Sequence, residues 1–413
     1  MSARFQAPKG TFDILPASAR RRARVERAAA DLLGRAGYGR VETPIFEDTE
    51  LFESGVGQST DIVRKEMFTF TDLGDRSVTL RPEGTAPIAR AYLEHGMHTL
   101  AQPVKLWHAG PYFRYEAPQA GRFRQFNQIG AEAIGSDSPL VDAELIGLLG
   151  SLLRELGVPG VQLRLSSLGS PEGRGAYRAE LQSYLRKHEG DLSSDVRERI
   201  EENPLRAFDS KDERTRAVMV EAPVILDRLE GSDAEHFENV RGLLDDAGIA
   251  YELDGSLVRG LDYYTRTVVA FTCDALGAQS EVGGGGRYDG LIERLGGSPT
   301  PAIGWATGIE RILLAAGDDE PEPSTDVFVA AADGRRDGAL ALARELRDAG
   351  LSAELDLAGR SLKGQMKHAD RVGARRAVIL GDDGGCVIRD MATGDQAEAD
   401  PATVAETLRE GAG

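Results

Sequence analysis

Trp107-His-Ala-Gly-Pro-Tyr-Phe-Arg-Tyr-Glu-Ala-Pro-Gln-Ala-Gly-Arg-Phe-Arg-Gln-Phe-Asn-Gln-Ile-Gly-Ala-Glu-Ala-Ile-Gly135 is the stretch around which the chain is organised. It reads as two strands, residues 104–116 and 122–134, joined by a loop built on Pro118, Gln119 and Gly121. Alternate residues of a strand share one face. Arg114 on the first strand, and Arg122, Arg124, Gln128 and Glu132 on the second, are therefore expected to line one sheet face. Two readings stand side by side. The stretch is an ordinary hairpin with a charged outer face, or it is the wall of a site for a ligand carrying both phosphate and amine.

Working outward, the 413 residues suffice for two or three domains. The two cysteines, Cys273 and Cys386, allow one bridge at most and suit a reducing, cytoplasmic compartment. The first ten residues lack the apolar core of a signal peptide. No apolar run is long enough to span a membrane. A net charge of −18 argues against indiscriminate nucleic-acid binding but leaves room for a local basic patch.

Before the hairpin, apolar spacing predicts a helix over residues 19–36, stopped by Gly37. Residues 41–47 read as a strand carrying Pro44, which belongs at an edge or an interface because it cannot donate to a ladder. Residues 62–71 and 76–80 read as a short strand hairpin. Arg81-Pro-Glu-Gly-Thr85 then leads into a helix over 86–94, with Thr85 as its expected N-cap. Glu83 either shapes that turn or holds a ligand cation.

Beyond the hairpin, residues 141–156 have helical spacing and 161–167 alternate as a strand. Residues 171–248 are dense in charge and mostly helical in spacing, and read as an inserted helical subdomain. Strand character returns at 249–253 and at 268–273. Between these two strands stands Arg259-Gly-Leu-Asp-Tyr-Tyr264. Gly283-Gly-Gly-Gly-Arg-Tyr-Asp-Gly290 is neither a P-loop nor a spaced dinucleotide fingerprint; such a run lets backbone approach a ligand closely. Residues 303–314 read as a strand running into a helix. Arg311 would sit near that helix's N-terminus, where a cation is unfavourable unless it faces an anion.

Residues 318–325 are polar and hold two prolines, which reads as a linker. Strand and helix alternate beyond it, predicting a small α/β domain with a largely parallel sheet over 326–413. Arg360, Lys363, Lys367, Arg371, Arg375 and Arg376 crowd together there, either as a solvated helix face or as a nucleic-acid surface.

The order of these segments resembles the histidyl-tRNA synthetase family of class II aminoacyl-tRNA synthetases over nearly the full length. The carrying residues are Arg81–Thr85, Phe113–Glu116 with Gly121–Phe126, Arg259–Tyr264, Gly283–Gly290 and Gly308–Arg311; Asp356–Lys363 resembles the family's anticodon-binding domain. The resemblance implies an α+β class II catalytic domain built on an antiparallel sheet with helices. Its two parts would be residues 1–170 and 249–317, flanking the helical insertion at 171–248, with a C-terminal α/β anticodon-binding domain. It implies homodimerisation through the Pro44 region. It implies histidine activation with ATP and Mg²⁺ to an adenylate and pyrophosphate, then transfer of histidine to tRNA(His). Arg259 and Arg114 would be catalytic. Arg114, Arg122, Phe123 and Arg311 would bind ATP; Glu83, Thr85, Gln128, Glu132, Arg259, Tyr263 and Tyr264 would bind histidine. Gln119, Arg360, Lys363 and Lys367 would touch tRNA. No dedicated protein metal site is implied.

Two departures from the family pattern stand out. Ala117 and Ala120 occupy loop positions where the family usually has arginine and often lysine, and Asn127 stands where histidine is usual. They bear on how the tRNA acceptor end is gripped, and Gln119 and backbone groups are expected to carry more of that contact. A rival reading is a non-catalytic regulatory subunit of histidine biosynthesis, which resembles the synthetase. That relative characteristically lacks the anticodon domain and loses catalytic residues.

Overall fold

The computed structural model describes residues 5–410 apart from 59, 278–279, 318–324 and 383. The linker expected at 318–325 lies, except for Thr325, outside the described residues. The chain divides into two compact units, Met1–Asp318 and Asp319–Gly413.

The first unit carries eleven strands among its described residues: β1 (Gly39–Arg40), β2 (Phe46–Asp48), β3 (Phe68–Thr71), β4 (Ser77–Leu80), β5 (Val104–Phe113), β6 (Gln125–Ile134), β7 (Val161–Ser167), β8 (Glu252–Leu253), β9 (Thr265–Cys273), β10 (Glu281–Arg287) and β11 (Ala302–Gly308). Eight form one sheet in the order β1-β5-β6-β11-β10-β9-β7-β8. Its inner pairs are antiparallel, and only the short outermost strands β1 and β8 pair parallel. β2, β4 and β3 make a separate small sheet.

Alternation explains which face does what. Odd-numbered Trp107, Ile129, Ala131, Ala133, Ile303 and Trp305 enter a core with Val25, Leu33, Leu149 and Leu153 from helices Pro16–Arg35 and Pro139–Glu155. Even-numbered His108, Gln128, Glu132 and Gly304 face the other way. Burying the Val, Leu and Ile side chains among them stabilises the sheet by about 1.5–3 kcal/mol each before entropy is counted. No strand occurs among residues 171–248; helices Arg174–Lys187, Ser194–Arg199, Glu213–Met219 and Gly231–Asp246 occupy them. The last of these sends Phe237, Val240 and Leu244 into the same core.

Several expectations are corrected. Residues 41–47 are not one strand. β1 pairs in the large sheet and β2 in the small one, so the chain changes sheets across Pro44, which has no N–H to carry a ladder. Residues 62–66 form a single turn of π-helix, not strand, because the Thr60 hydroxyl accepts the Val63 N–H at 3.3 Å and starts a turn. The strand expected at 249–253 shrinks to Glu252–Leu253. The hairpin arms stop at Phe113 and start again at Gln125; between them Gln119 and Arg122 exchange backbone bonds of 3.1 and 2.9 Å. The glycine run, which had no assigned element, lies within strand β10, paired on both sides.

In the second unit β12 (Val327–Ala331), β13 (Ala353–Leu355) and β14 (Arg376–Leu380) pair parallel, as the alternating pattern predicts. β15 (Cys386–Asp390) and β16 (Gln396–Ala399) extend the sheet antiparallel, so it is mixed rather than largely parallel. Among the described residues no helix is long and apolar enough to cross a membrane. Cys273 and Cys386 are both free and buried.

Candidate active site

The even-numbered face of β5, β6 and β11 floors a cavity of about 680 Å³. Its walls include Glu83 and Thr85, the segment 256–264, β10, and Arg206, Phe208 and Lys211 from the helical region. Segments far apart in sequence thus meet at one place.

At one end the lining is cationic. The Arg114 Nε donates to the Pro82 carbonyl at 2.8 Å, and its guanidinium lies over the Phe126 ring. Arg122 pairs with Glu116 at 3.0 Å. Arg259 Nη1 donates to Glu281 Oε1 at 2.8 Å, and Arg311 Nε donates to the Glu281 backbone carbonyl at 2.6 Å. One residue therefore tethers two arginines, by its side chain and by its main chain. Burial alone would lower the Arg259 guanidinium, but the Glu281 carboxylate overrides it and the group is held up. For Arg311, burial and then the Arg122 charge push its affinity for a proton down. Arg311 sits in the first turn of helix Ile309–Ala316, where the helix dipole repels it and favours an anion in front of it. Phe123 packs against Phe12, ring centroids 4.6 Å apart.

At the other end the charged groups are carboxylates and they are buried. Glu83 is 4% exposed and accepts the backbone N–H of Thr85 and Ala86 at 2.8 and 2.9 Å. This corrects the expected N-cap. Thr85 is the first helical residue, and Glu83 satisfies the helix's free N–H groups instead. Released from capping, the Thr85 hydroxyl donates to Glu132 Oε1 at 2.9 Å. The Tyr288 hydroxyl donates to Glu132 Oε2 at 2.5 Å. Gly304 leaves room for this carboxylate, since a Cβ there would collide with Oε2. Burial drives the Glu132 carboxyl up to about 8, against its two hydroxyl donors and with the Glu83 charge adding to the rise. Burial likewise raises Glu83. Tyr263 packs between Tyr264, tilted, and Tyr288, edge-on, with ring centroids 4.8 and 5.7 Å apart.

Arg114, Arg122, Phe123, Gln128, Arg259, Arg311, Glu83, Thr85, Tyr263 and Tyr264 are thus brought around one cavity, with Glu132 bonded to its wall. Arg124, expected on the same sheet face, is not among them. Arg124 leaves the shared face because β6 begins only at Gln125. Its backbone N–H donates to Gly10 and its guanidinium covers Tyr115. Asn127 points to the core side, where it and Arg22 hold Glu310. Ala117, Gln119 and Ala120 lie on an exposed loop. In the second unit, Arg360 pairs with Asp356 at 2.6 Å, and Lys363 and Lys367 are exposed on helix Leu362–Arg371.

Sequence reasoning missed Glu281, Tyr288 and His108. Tyr288 lay inside a quoted motif without a role, and Glu281 stands two residues before the glycine run. Had that run been read as a strand, its alternation would have pointed to Glu281.

Comparison with known proteins bears on the whole chain. The model of the family described as "Histidyl-tRNA synthetase" matches residues 10–312, and that of the "Anticodon binding domain" matches 326–411. A histidine–tRNA ligase of Rubrobacter xylanophilus is 50% identical over 406 residues, covering 95% of this chain and 96% of the relative. One from Thermosynechococcus vestitus is 48% identical, covering 95% and 93%. The crystal structure of apo histidyl-tRNA synthetase from S. aureus superposes with a TM-score of 0.83 at 35% identity, covering 98% of this chain and all of that one.

Proposed function

The chain belongs to the histidyl-tRNA synthetase family and ligates histidine to tRNA, and from that membership we propose how its cavity divides the work. The observation that carries the proposal is the polarity of the cavity itself. Arginines gather at one end, and buried carboxylates and tyrosines at the other.

Histidine enters with its ammonium toward Glu83, Thr85 and Gln128, and its ring toward Glu132 and Tyr264. Tyr263 supports Glu83 through a 3.4 Å hydroxyl contact. ATP lies along the arginine end, with Phe123 against the adenine. A carboxylate oxygen of histidine attacks the α-phosphorus, the bond to the β-phosphate oxygen breaks, and pyrophosphate leaves. Two anions must approach, so the barrier is largely repulsion. Arg114 and Arg259 hold the α-phosphate and the carboxylate in line, while Arg122 and Arg311 take the distal phosphates. Fixed cations in a partly desolvated site stabilise the charge that builds in such a transition state. No side-chain nucleophile is required, because positioning supplies much of the rate.

Among the described residues no group of three or more acidic, histidine or cysteine side chains forms a ready metal cage. Magnesium that accompanies a nucleotide usually needs only one or two protein carboxylates beside the phosphates. Glu281 and Glu116, which line the arginine end, would hold it. When bound it would neutralise phosphate charge.

In the second step a ribose hydroxyl at the tRNA 3′ end attacks the carbonyl carbon of the adenylate, and AMP leaves. The loop at Gln119 meets the acceptor end, and Arg360, Lys363 and Lys367 meet the anticodon stem. Exposed Ile45, Phe46, Phe70 and Leu73 support a homodimer formed through the small sheet and the Pro44 segment. Two buried free cysteines suit a cytoplasmic enzyme. The regulatory-subunit reading has less behind it, since an anticodon-domain match and all four arginines are present.

Histidine-dependent ATP–pyrophosphate exchange by the purified protein tests the proposal. Exchange with histidine and not with other amino acids is expected; its absence would overturn the activation step.

A further inference from the structure

His108 is buried at the recognition end of the cavity and has no role in the scheme above. The residue is 5% exposed. Nδ1 lies 2.7 Å from the Tyr112 hydroxyl. Nε2 is buried and has no hydrogen-bond partner. It stands 4.0 Å from Glu132 Oε1, just beyond hydrogen-bond length. Buried polar atoms are rarely left unpaired, and one that is asks for an explanation. The surrounding backbone has been cleared for this ring. A Cβ at Gly84 would come within 2.6 Å of the ring carbon Cε1, and one at Gly130, the cross-strand partner of His108, would collide with Nε2.

The tautomer follows from the neighbours. Burial, reinforced by the Arg81 guanidinium, pushes the imidazole down to about 3, so the ring is neutral and carries one N–H and one acceptor. Arg81 is itself fixed by the carbonyls of Pro111 and Thr43, both at 2.9 Å, and lies over the Tyr112 ring. Burial keeps the Tyr112 phenol protonated, and that proton needs an acceptor. The partner within reach is His108 Nδ1. The ring proton therefore sits on Nε2, as a donor directed toward Glu132.

We propose that His108 is a positioning residue for amino-acid recognition: locked by Tyr112 as the Nε2–H tautomer, it donates to Glu132 when histidine binds and leaves one carboxylate site for the substrate ring. A carboxylate offers about four acceptor sites, two on each oxygen. Thr85 and His108 fill those of Oε1. Tyr288 takes one on Oε2. A single site remains, which suits the one N–H of a neutral imidazole. Three donors also favour the charged form of Glu132, so the carboxylate becomes a stronger acceptor as the substrate arrives. Active-site hydrogen bonds commonly tighten only in the complex, and the 4.0 Å gap closes in this way. The inference rests on the reading of Glu132 as the ring acceptor.

The test separates the two. Pyrophosphate exchange is measured with KM for histidine and KM for ATP determined independently, alongside thermal unfolding. His108→Leu, which removes the donor, raises KM for histidine about tenfold or more with KM for ATP unchanged. His108→Gln, which restores an N–H, recovers most of that loss. Tyr112→Phe falls between, because the tautomer is no longer locked; it carries the test alone if His108→Leu does not fold. An unchanged KM for histidine in His108→Leu overturns the proposal. So does an equal loss in His108→Leu and His108→Gln accompanied by a raised KM for ATP, which marks a packing role. Glu132→Gln sorts the failures. If it is impaired while His108→Leu is normal, only the role of His108 falls. If Glu132→Gln binds histidine normally, the reading of Glu132 falls and the proposal with it.

Discussion

At one end of the cavity stand Arg114, Arg122, Arg259 and Arg311; the Arg122 charge acts on Arg311, Glu116 pairs with Arg122, and Glu281 tethers Arg259 and Arg311. At the other end Glu83 and Glu132 receive hydroxyl and backbone N–H donors in place of a paired arginine or lysine, and burial raises both carboxyl groups. The difference lies in where the balancing charge comes from. The arginine end carries surplus positive charge that phosphates can match, and its own carboxylates keep it ordered meanwhile. At the carboxylate end burial disfavours the charged forms, which a ligand's ammonium and ring N–H would favour. Under the proposed division of the cavity, this difference in charge would orient the two ligands.

The largest break in this contrast is at Arg259. Arg259→Ala loses about 10²- to 10³-fold in histidine-dependent exchange while circular dichroism and oligomeric state stay as in the parent. Near-normal exchange would remove Arg259 from the reaction.

Glu132→Gln acts at the opposite end. It raises KM for histidine about tenfold to a hundredfold, the cost of one charge-assisted hydrogen bond, and leaves KM for ATP within about twofold. A matching change in both constants would mean that the two ends are not separate sites.

The second unit is expected to matter for neither end. Lys363→Ala with Lys367→Ala leaves exchange untouched but raises KM for tRNA about tenfold, and lowers the salt dependence of tRNA binding by about two contacts. An unchanged salt slope would return this helix to an ordinary solvated face.

The smallest effect is on stability. Glu132 has its folded pKa raised to about 8 from 4.5, so the folded ligand-free protein holds a proton that the unfolded chain gives up. That contribution is complete below the unfolded value and is lost as pH rises through about 8. The ligand-free protein therefore unfolds more easily as pH climbs across this window, and Glu132→Gln flattens the trend. Thermal unfolding at a series of pH values checks it. A trend of equal steepness in the variant would assign the proton elsewhere.

The amino-acid sequence by itself determined the order of segments, the position of the helical region, the alternating α/β character of the second unit and the four arginines gathered at the cavity. It could do so because period-2 and period-3.6 patterns, and short motifs such as Arg259–Tyr264, are local properties of the chain. Tertiary structure alone decided the rest. A tetraglycine becomes strand β10 because neighbours pair with it on both edges, not through any propensity of its own. Thr85 does not cap because Glu83 takes the helix's free N–H groups, which leaves its hydroxyl to Glu132, 47 residues away. His108 and Tyr112 look like ordinary strand residues until the backbone at Gly84 and Gly130 is seen to make way for the ring. A hydrogen bond between distant residues, and the loss of water that gives it weight, leave no period in the sequence to be read.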